Sequence, residues 1–143
     1  MLRKARQNDI EAVLDIIDPY VNRGILLKKT RQDIVVRIRD FFVYEDENEI
    51  AGCAALFPGW DGLGEICTLA VRESMQKKGI GTGLVEACIE DGRDLGLPKI
   101  FTLTYEKDFF RGQGFQEIDK HTLPQKILKD CIKYPHYLDC NKT

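Results

Sequence analysis

The stretch Gly64–Gly92, GEICTLAVRESMQKKGIGTGLVEACIEDG, decides how the chain is to be read. It opens with Ile66–Val71, a short apolar run whose Leu, Ala and Val suit a strand buried on both faces. A polar turn (Arg72, Glu73, Ser74) leads into the glycine-rich loop Gln76–Gly83. Beyond it Leu84, Val85, Cys88 and Ile89 recur at helical spacing, with Glu86, Glu90 and Asp91 filling the other face. Strand, glycine loop, helix is the order in which unpaired N–H groups at a helix start point outward at an anion. Gly79 and Gly81 remove Cβ where a ligand touches backbone, and Lys77 and Lys78 add charge beside those amides. The ligand this implies is a phosphate. The P-loop pattern G-x-x-x-x-G-K-S/T does not occur, and Leu84 stands where a dinucleotide fingerprint needs its third glycine.

Working outward, Leu2–Ala5 suits a first strand, and Asp9 is placed to cap a helix carrying Ile10, Val13, Leu14, Ile16 and Ile17, ending near Pro19. Thr30 or Asp33 caps a second helix whose stripe is Ile34, Val35 and Ile38. Phe41–Tyr44 and Ile50–Phe57 form a hairpin about the polar turn Glu45–Glu49. After the central helix, stopped by Gly96 and Pro98, come a strand at Lys99–Thr104, a helical turn at Asp108–Gly112 and a strand at Phe115–Asp119. Leu123–Cys131 has a helical pattern, and Ile132–Thr143 is expected to be irregular. The fold class is α+β, with one parallel pair where the central helix joins strands four and five.

The totals set bounds. The 143 residues, 43% hydrophobic and 31% charged, suit one domain over 1–143 with a single core. A net charge of −2 and no basic stripe argue against nucleic acid, and no apolar run has membrane-spanning length. The N-terminus lacks a secretory apolar region, and Cys53, Cys67, Cys88, Cys131 and Cys140 are an odd count, most set in apolar patterns. Reduced thiols in a cytoplasmic protein are expected. His121 and His136 are isolated, so no metal site is expected.

At Gln76-Lys77-Lys78-Gly79-Ile80-Gly81 the chain resembles the GNAT superfamily of acetyl-CoA-dependent N-acetyltransferases, whose pyrophosphate loop is R/Q-x-x-G-x-G/A after strand four. The resemblance covers nearly the whole chain. Arg23–Leu27, Ile38–Tyr44, Leu103–Tyr105, Phe109-Phe110, Gly114-Phe115, Leu123–Lys126 and Lys129–Cys131 are similar to short amino-acid N-acetyltransferases and to the catalytic domain of N-acetylglutamate synthase. That family implies a mixed, mostly antiparallel sheet in which strands four and five splay around acetyl-CoA, a cosubstrate, with no metal. It implies Glu65 as general base, against the plain alternative of a strand-end surface carboxylate. The amides of Leu69, Ala70 and Val71 are expected along the pantetheine arm, and Gln76, Lys78, Gly79, Ile80, Gly81 and Thr82 on the pyrophosphate, with Lys77 solvated. Where the family carries an acid-donating Tyr, this chain has Phe110, expected to pack against the cofactor.

Acceptor recognition is implied for Lys29 and Arg39, either of which is otherwise a solvated charge. Relatives have Pro-Arg-Ser where Lys28-Lys29-Thr30 stands, a further Cys where Tyr134 stands, and a last strand not expected here. An open sheet edge invites a second chain, so a homodimer is expected. The function implied is acetyl transfer to the α-amine of a small amino acid, glutamate first. The alternatives are another amine acceptor (another amino acid, a polyamine or a protein N-terminus) or a non-catalytic acetyl-CoA-binding regulatory module.

Overall fold

The computed structural model describes residues 1–117 and 140–142. Its strands are β1 (Leu2–Lys4), β2 (Phe41–Asp46), β3 (Glu49–Trp60), β4 (Leu63–Val71), β5 (Lys99–Leu103), β6 (Gln116–Glu117) and β7 (Cys140–Lys142). Its helices are α1 (Ile10–Asn22), α2 (Arg31–Val36), α3 (Ile80–Asp94) and α4 (Lys107–Gly112). One sheet runs β1-β2-β3-β4-β5-β7-β6. Among the described residues only the β4/β5 pairing is parallel. This is the mixed, mostly antiparallel α+β sheet expected from the sequence.

The acidic turn between β2 and β3 closes at Glu47 and Asn48, whose φ angles of 49° and 68° give the primed geometry that matches strand twist. Alternation along the strands then divides the core in two. Cys53, Ala55 and Ala70 face α1 and α2, packing with Ile10, Val13, Ile17 and Ile34. Ala54, Leu56 and Ile66 face α3, packing with Ile80, Leu84, Val85 and Cys88. Gly92 lets α3 lie close on β5, since a Cβ there would stand 2.5 Å from Ile100 Cδ1.

β4 breaks its own alternation. Cys67 and Ala70, three apart, pack in the same cluster, while Leu69 and Val71 face the other way. The register agrees: Cys53 opposes Ala70 and Ala55 opposes Cys67, so β4 holds one residue more than β3. The extra residue is Thr68, at φ 54°. On the other side β4 pairs with β5 only from Leu63 to Ile66, where Thr102 Oγ1 donates to the Ile66 carbonyl at 2.8 Å. Beyond that point the two strands separate, as expected of the splayed pair.

Several expectations are corrected. Asp9 does not cap α1 with its side chain. It closes the preceding 3₁₀ turn, accepting from the Arg6 N–H at 2.7 Å and from two Arg3 nitrogens at 2.8 and 3.0 Å. α1 runs past Pro19 to Asn22, because Tyr20 and Val21 continue its apolar stripe against the sheet. The segment expected to be irregular contains β7, which pairs with both β5 and β6. Three backbone positions suffice for that ladder, and it covers the edge on which a homodimer was argued. Thr30, by contrast, caps α2 as expected, accepting from Asp33 N–H at 3.1 Å. The helix expected at Leu123–Cys131 lies outside the described residues.

Arg3, opposed by burial and helped by the Arg6 N–H, holds the Asp9 carboxyl below the usual carboxylate range. A depressed pKa stabilises the fold above the unfolded value of about 3.9, and the effect is lost as pH falls through the folded value. Asp9→Asn is therefore expected to lower Tm at pH 7 and to flatten the acid limb of the Tm–pH curve below about pH 4, as followed by circular dichroism.

Candidate active site

The loop before α3 carries left-handed φ angles at Lys77 (66°) and Gly79 (82°), two residues apart. Alternation of this kind turns successive N–H groups to one side, making a concavity suited to an anion. α3 starts at once on Ile80 and has no acidic residue in its first turn to repel one. A Cβ at Gly79 would meet nothing within 4 Å, so the loop's outer side is open.

This loop is one wall of a cleft of about 620 Å³. Leu69, Ala70 and Val71 of β4 form the second wall, and Phe109 and Glu106 close the third. Gln76, Gly79, Ile80, Gly81 and Thr82 all line it. Lys77 lines it too, whereas Lys78 is exposed with its Nζ 3.9 Å from Met75 Sδ. Phe110 is not a cleft residue. It is 3% exposed in the core, with its ring centroid 5.2 Å from that of Phe115, and Phe109 takes the cleft position instead.

Tyr20 lines the same cleft from α1. Its hydroxyl donates to the Val71 carbonyl at 2.5 Å and accepts from Gln76 Nε2 at 2.5 Å, tying strand end to loop. Burial raises its pKa, so the hydroxyl keeps its proton as a donor. No periodicity or spacing marks Tyr20, because its partners lie 51 and 56 residues away.

A second cavity, of about 260 Å³, opens on the α1/α2 face. Ala55, Phe57, Cys67 and Thr68 floor it; Lys29, Ile34, Arg37 and Asp40 stand around it. Arg39 lies outside, exposed, with its carbonyl accepting from Lys4 Nζ. Arg37, which the sequence reading passed over, takes the cavity position, its guanidinium carbon 3.7 Å from the Phe57 ring centroid. Glu65 is 8% exposed, in register with Phe57 on one side and Phe101 on the other. Alternation with Ile66 puts it on the face of Cys67, and so on the cavity's side.

The two cavities meet at consecutive residues, Thr68 in one and Leu69 in the other, at the bulge. Burial first, then the Glu65 charge, pushes the Cys67 thiol up to about 12 against the pull of Lys29 and Arg37. A thiol so protonated is not a nucleophile. Among the described residues no three His, Cys, Asp or Glu side chains cluster as metal ligands, and no helix is long and apolar enough to cross a membrane.

Residues 10–115 match the model of the Acetyltransferase (GNAT) family. The chain belongs to the GNAT acetyltransferase family. This GNAT domain is 38% identical over 141 residues to an uncharacterized N-acetyltransferase of Chlorobaculum tepidum, covering 99% of this chain and 91% of that one. It is 37% identical over 138 residues to an amino-acid acetyltransferase of Mycobacterium tuberculosis, covering 94% and 79%. In structure it resembles N-acetylglutamate synthase from Neisseria gonorrhoeae, solved with coenzyme A and N-acetyl-glutamate. The TM-score is 0.91 at 29% identity, over 99% of this chain and 34% of that one. The GNAT domain thus spans about a third of that longer enzyme.

Removing the Tyr20 tie tests the geometry. Tyr20→Phe is expected to weaken coenzyme A binding roughly 30-fold by calorimetry, the scale of two hydrogen bonds of about 1 kcal/mol each, with little change in the far-UV spectrum.

Proposed function

We propose that this GNAT domain transfers the acetyl group of acetyl-CoA to the α-amine of a small amino acid, glutamate first, by direct attack in a ternary complex. The observation that carries the reading is the meeting of two cavities at the β4 bulge. One is walled by outward-facing amides and the other by the cations Lys29 and Arg37, with buried Glu65 on the same face of β4. The donor's diphosphate fits the positive-φ loop at the start of α3, its pantetheine arm lies along Leu69–Val71, and its thioester carbonyl reaches the bulge. There the amides that a bulge leaves out of the β3 ladder stabilise the oxyanion.

The acceptor enters from the opposite face. Its ammonium loses a proton to Glu65 and the neutral nitrogen attacks the thioester carbon. The carbon–sulfur bond then breaks as the nitrogen's second proton passes to the departing sulfur or to water, and coenzyme A leaves as a thiol or thiolate. Glu65 is three residues from Thr68, about 10 Å along a strand and more than one water spans, so the proton travels through a short chain of waters. A leaving thiol with pKa near ~8.5 needs little help from an acid, which suits a site with Phe110 where the family carries Tyr. The protonated Cys67 supports a route without a covalent enzyme intermediate.

The names of the relatives, an amino-acid acetyltransferase and an N-acetylglutamate synthase, support an amino acid as the acceptor, and the resemblance to N-acetylglutamate synthase implies a place in arginine biosynthesis. The unpaired thiols of Cys53, Cys67 and Cys88 suit the reducing cytoplasm.

Thiol release with amino acids, polyamines and peptide N-termini tests the assignment. Glutamate is expected to give the highest kcat/KM, with intersecting initial-rate lines; parallel lines, or turnover only with another amine class, argue against it. Tight coenzyme A binding with no release across the panel favours a non-catalytic module. Glu65→Gln is expected to lower kcat by about 10²-fold or more while leaving coenzyme A affinity unchanged.

A further inference from the structure

The cavity on the α1/α2 face holds two cations, Lys29 and Arg37, and neither forms a side-chain hydrogen bond or ion pair among the described residues. The nearby acids do not neutralise them in contact. Asp33 spends its carboxylate on the Thr30 N–H at 2.8 Å, closing the α2 cap, and half-buried Asp40 has no ion-pair partner among the described residues. Arg37 is itself half-buried and stacked on Phe57, so its planar fork is held in place with its N–H donors unspent. A preset guanidinium at a cavity wall is suited to a planar carboxylate.

Position along the strand says which carboxylate. Phe57 pairs with Glu65, three residues before the bulge at Thr68, about 10 Å away along β4. A reacting amine sits about 3–3.5 Å from the acyl carbon, so it must lie beside the bulge. The α-carboxylate, one carbon from that amine, stays near it. Only a group at the far end of the acceptor's side chain spans the distance to a guanidinium over Phe57.

We propose that Arg37 is a specificity-determining residue of this site, receiving the side-chain carboxylate of an acidic amino-acid acceptor over the ring of Phe57. This rests on the acetyltransferase reading above, in which glutamate is the first acceptor, and adds the residue that reads the acceptor's second acid group. Lys29, the other cation, remains for the α-carboxylate.

The experiment compares glutamate, glutamine and glutamate α-amide as acceptors for the wild type, Arg37→Ala and Arg37→Lys, by thiol release. For Arg37→Ala, KM for glutamate is expected to rise about 10- to 100-fold, the scale of a charge-assisted pair. KM for glutamine should move less than about threefold, and coenzyme A affinity should stay fixed. Arg37→Lys, which keeps the charge and loses the fork, should recover part of the glutamate preference. Two results overturn the role of Arg37 while leaving the acetyltransferase reading intact: equal losses on glutamate and glutamine, or a loss that follows the α-carboxylate. A wild type that acetylates no amino acid overturns both. Tm for each variant separates misfolding from altered recognition, and a folded Arg37→Lys with unchanged glutamate preference over a folded Arg37→Ala also sinks the proposal.

Discussion

One surplus residue in β4 governs the site. Thr68, held at positive φ, shifts every residue after it to the opposite face of the sheet. Without that shift, Leu69 and Val71 would face α1, Ala70 would face α3, and the wall of the larger cleft would be different side chains. The bulge also lies just past the last residue of β4 that pairs with β5. Kinked backbone and missing partner coincide, so Thr68 and Leu69 fall out of register with both neighbouring strands in the middle of the sheet. A β-branched residue at φ 54° is strained, and strain of this kind persists where the surroundings over-determine it. Here ladders on both sides of β4 and a core on each face supply that constraint.

Around the bulge the polar contacts act as ties between distant segments. Tyr20 joins α1 to the end of β4 and to the loop before α3 through one hydroxyl. Thr102 joins β5 to β4 at the point where the strands part. Arg3 and Asp9 fasten β1 to the turn that starts α1, with Glu45 of β2 on the same guanidinium at 3.1 Å. Each group sits at a junction, so the apolar clusters supply the bulk of the stabilisation while these contacts fix the relative placement of the walls.

Most of the architecture was legible because it is written in periodicity. The change from a period near two to one near 3.6 across Gly64–Gly92 marks strand, loop and helix, and the glycines mark the anion-facing turn. The Thr30 cap was legible for the same local reason. What escaped the sequence is set by long-range geometry. Whether Phe109 or Phe110 faces the cleft depends on the rotation of a short helix with aromatic residues at both positions. Lys77 rather than Lys78 lines the cleft because the left-handed turn at 77 re-aims the backbone. Arg37 and Arg39, two apart at the end of α2, look alike as letters; only the 3₁₀ turn after α2 decides which reaches the cavity. β7 is too short to show alternation at all.

The division of the interior into two clusters on opposite sides of the sheet has a further consequence. The larger cleft draws on α3 and on Tyr20 of α1, the smaller cavity on the six-residue α2, and the two apolar clusters lie on opposite sides of the sheet. Replacements on the short α2 wall leave the opposite cluster untouched. Such a partition allows selection to reshape one cavity while the other is inherited intact.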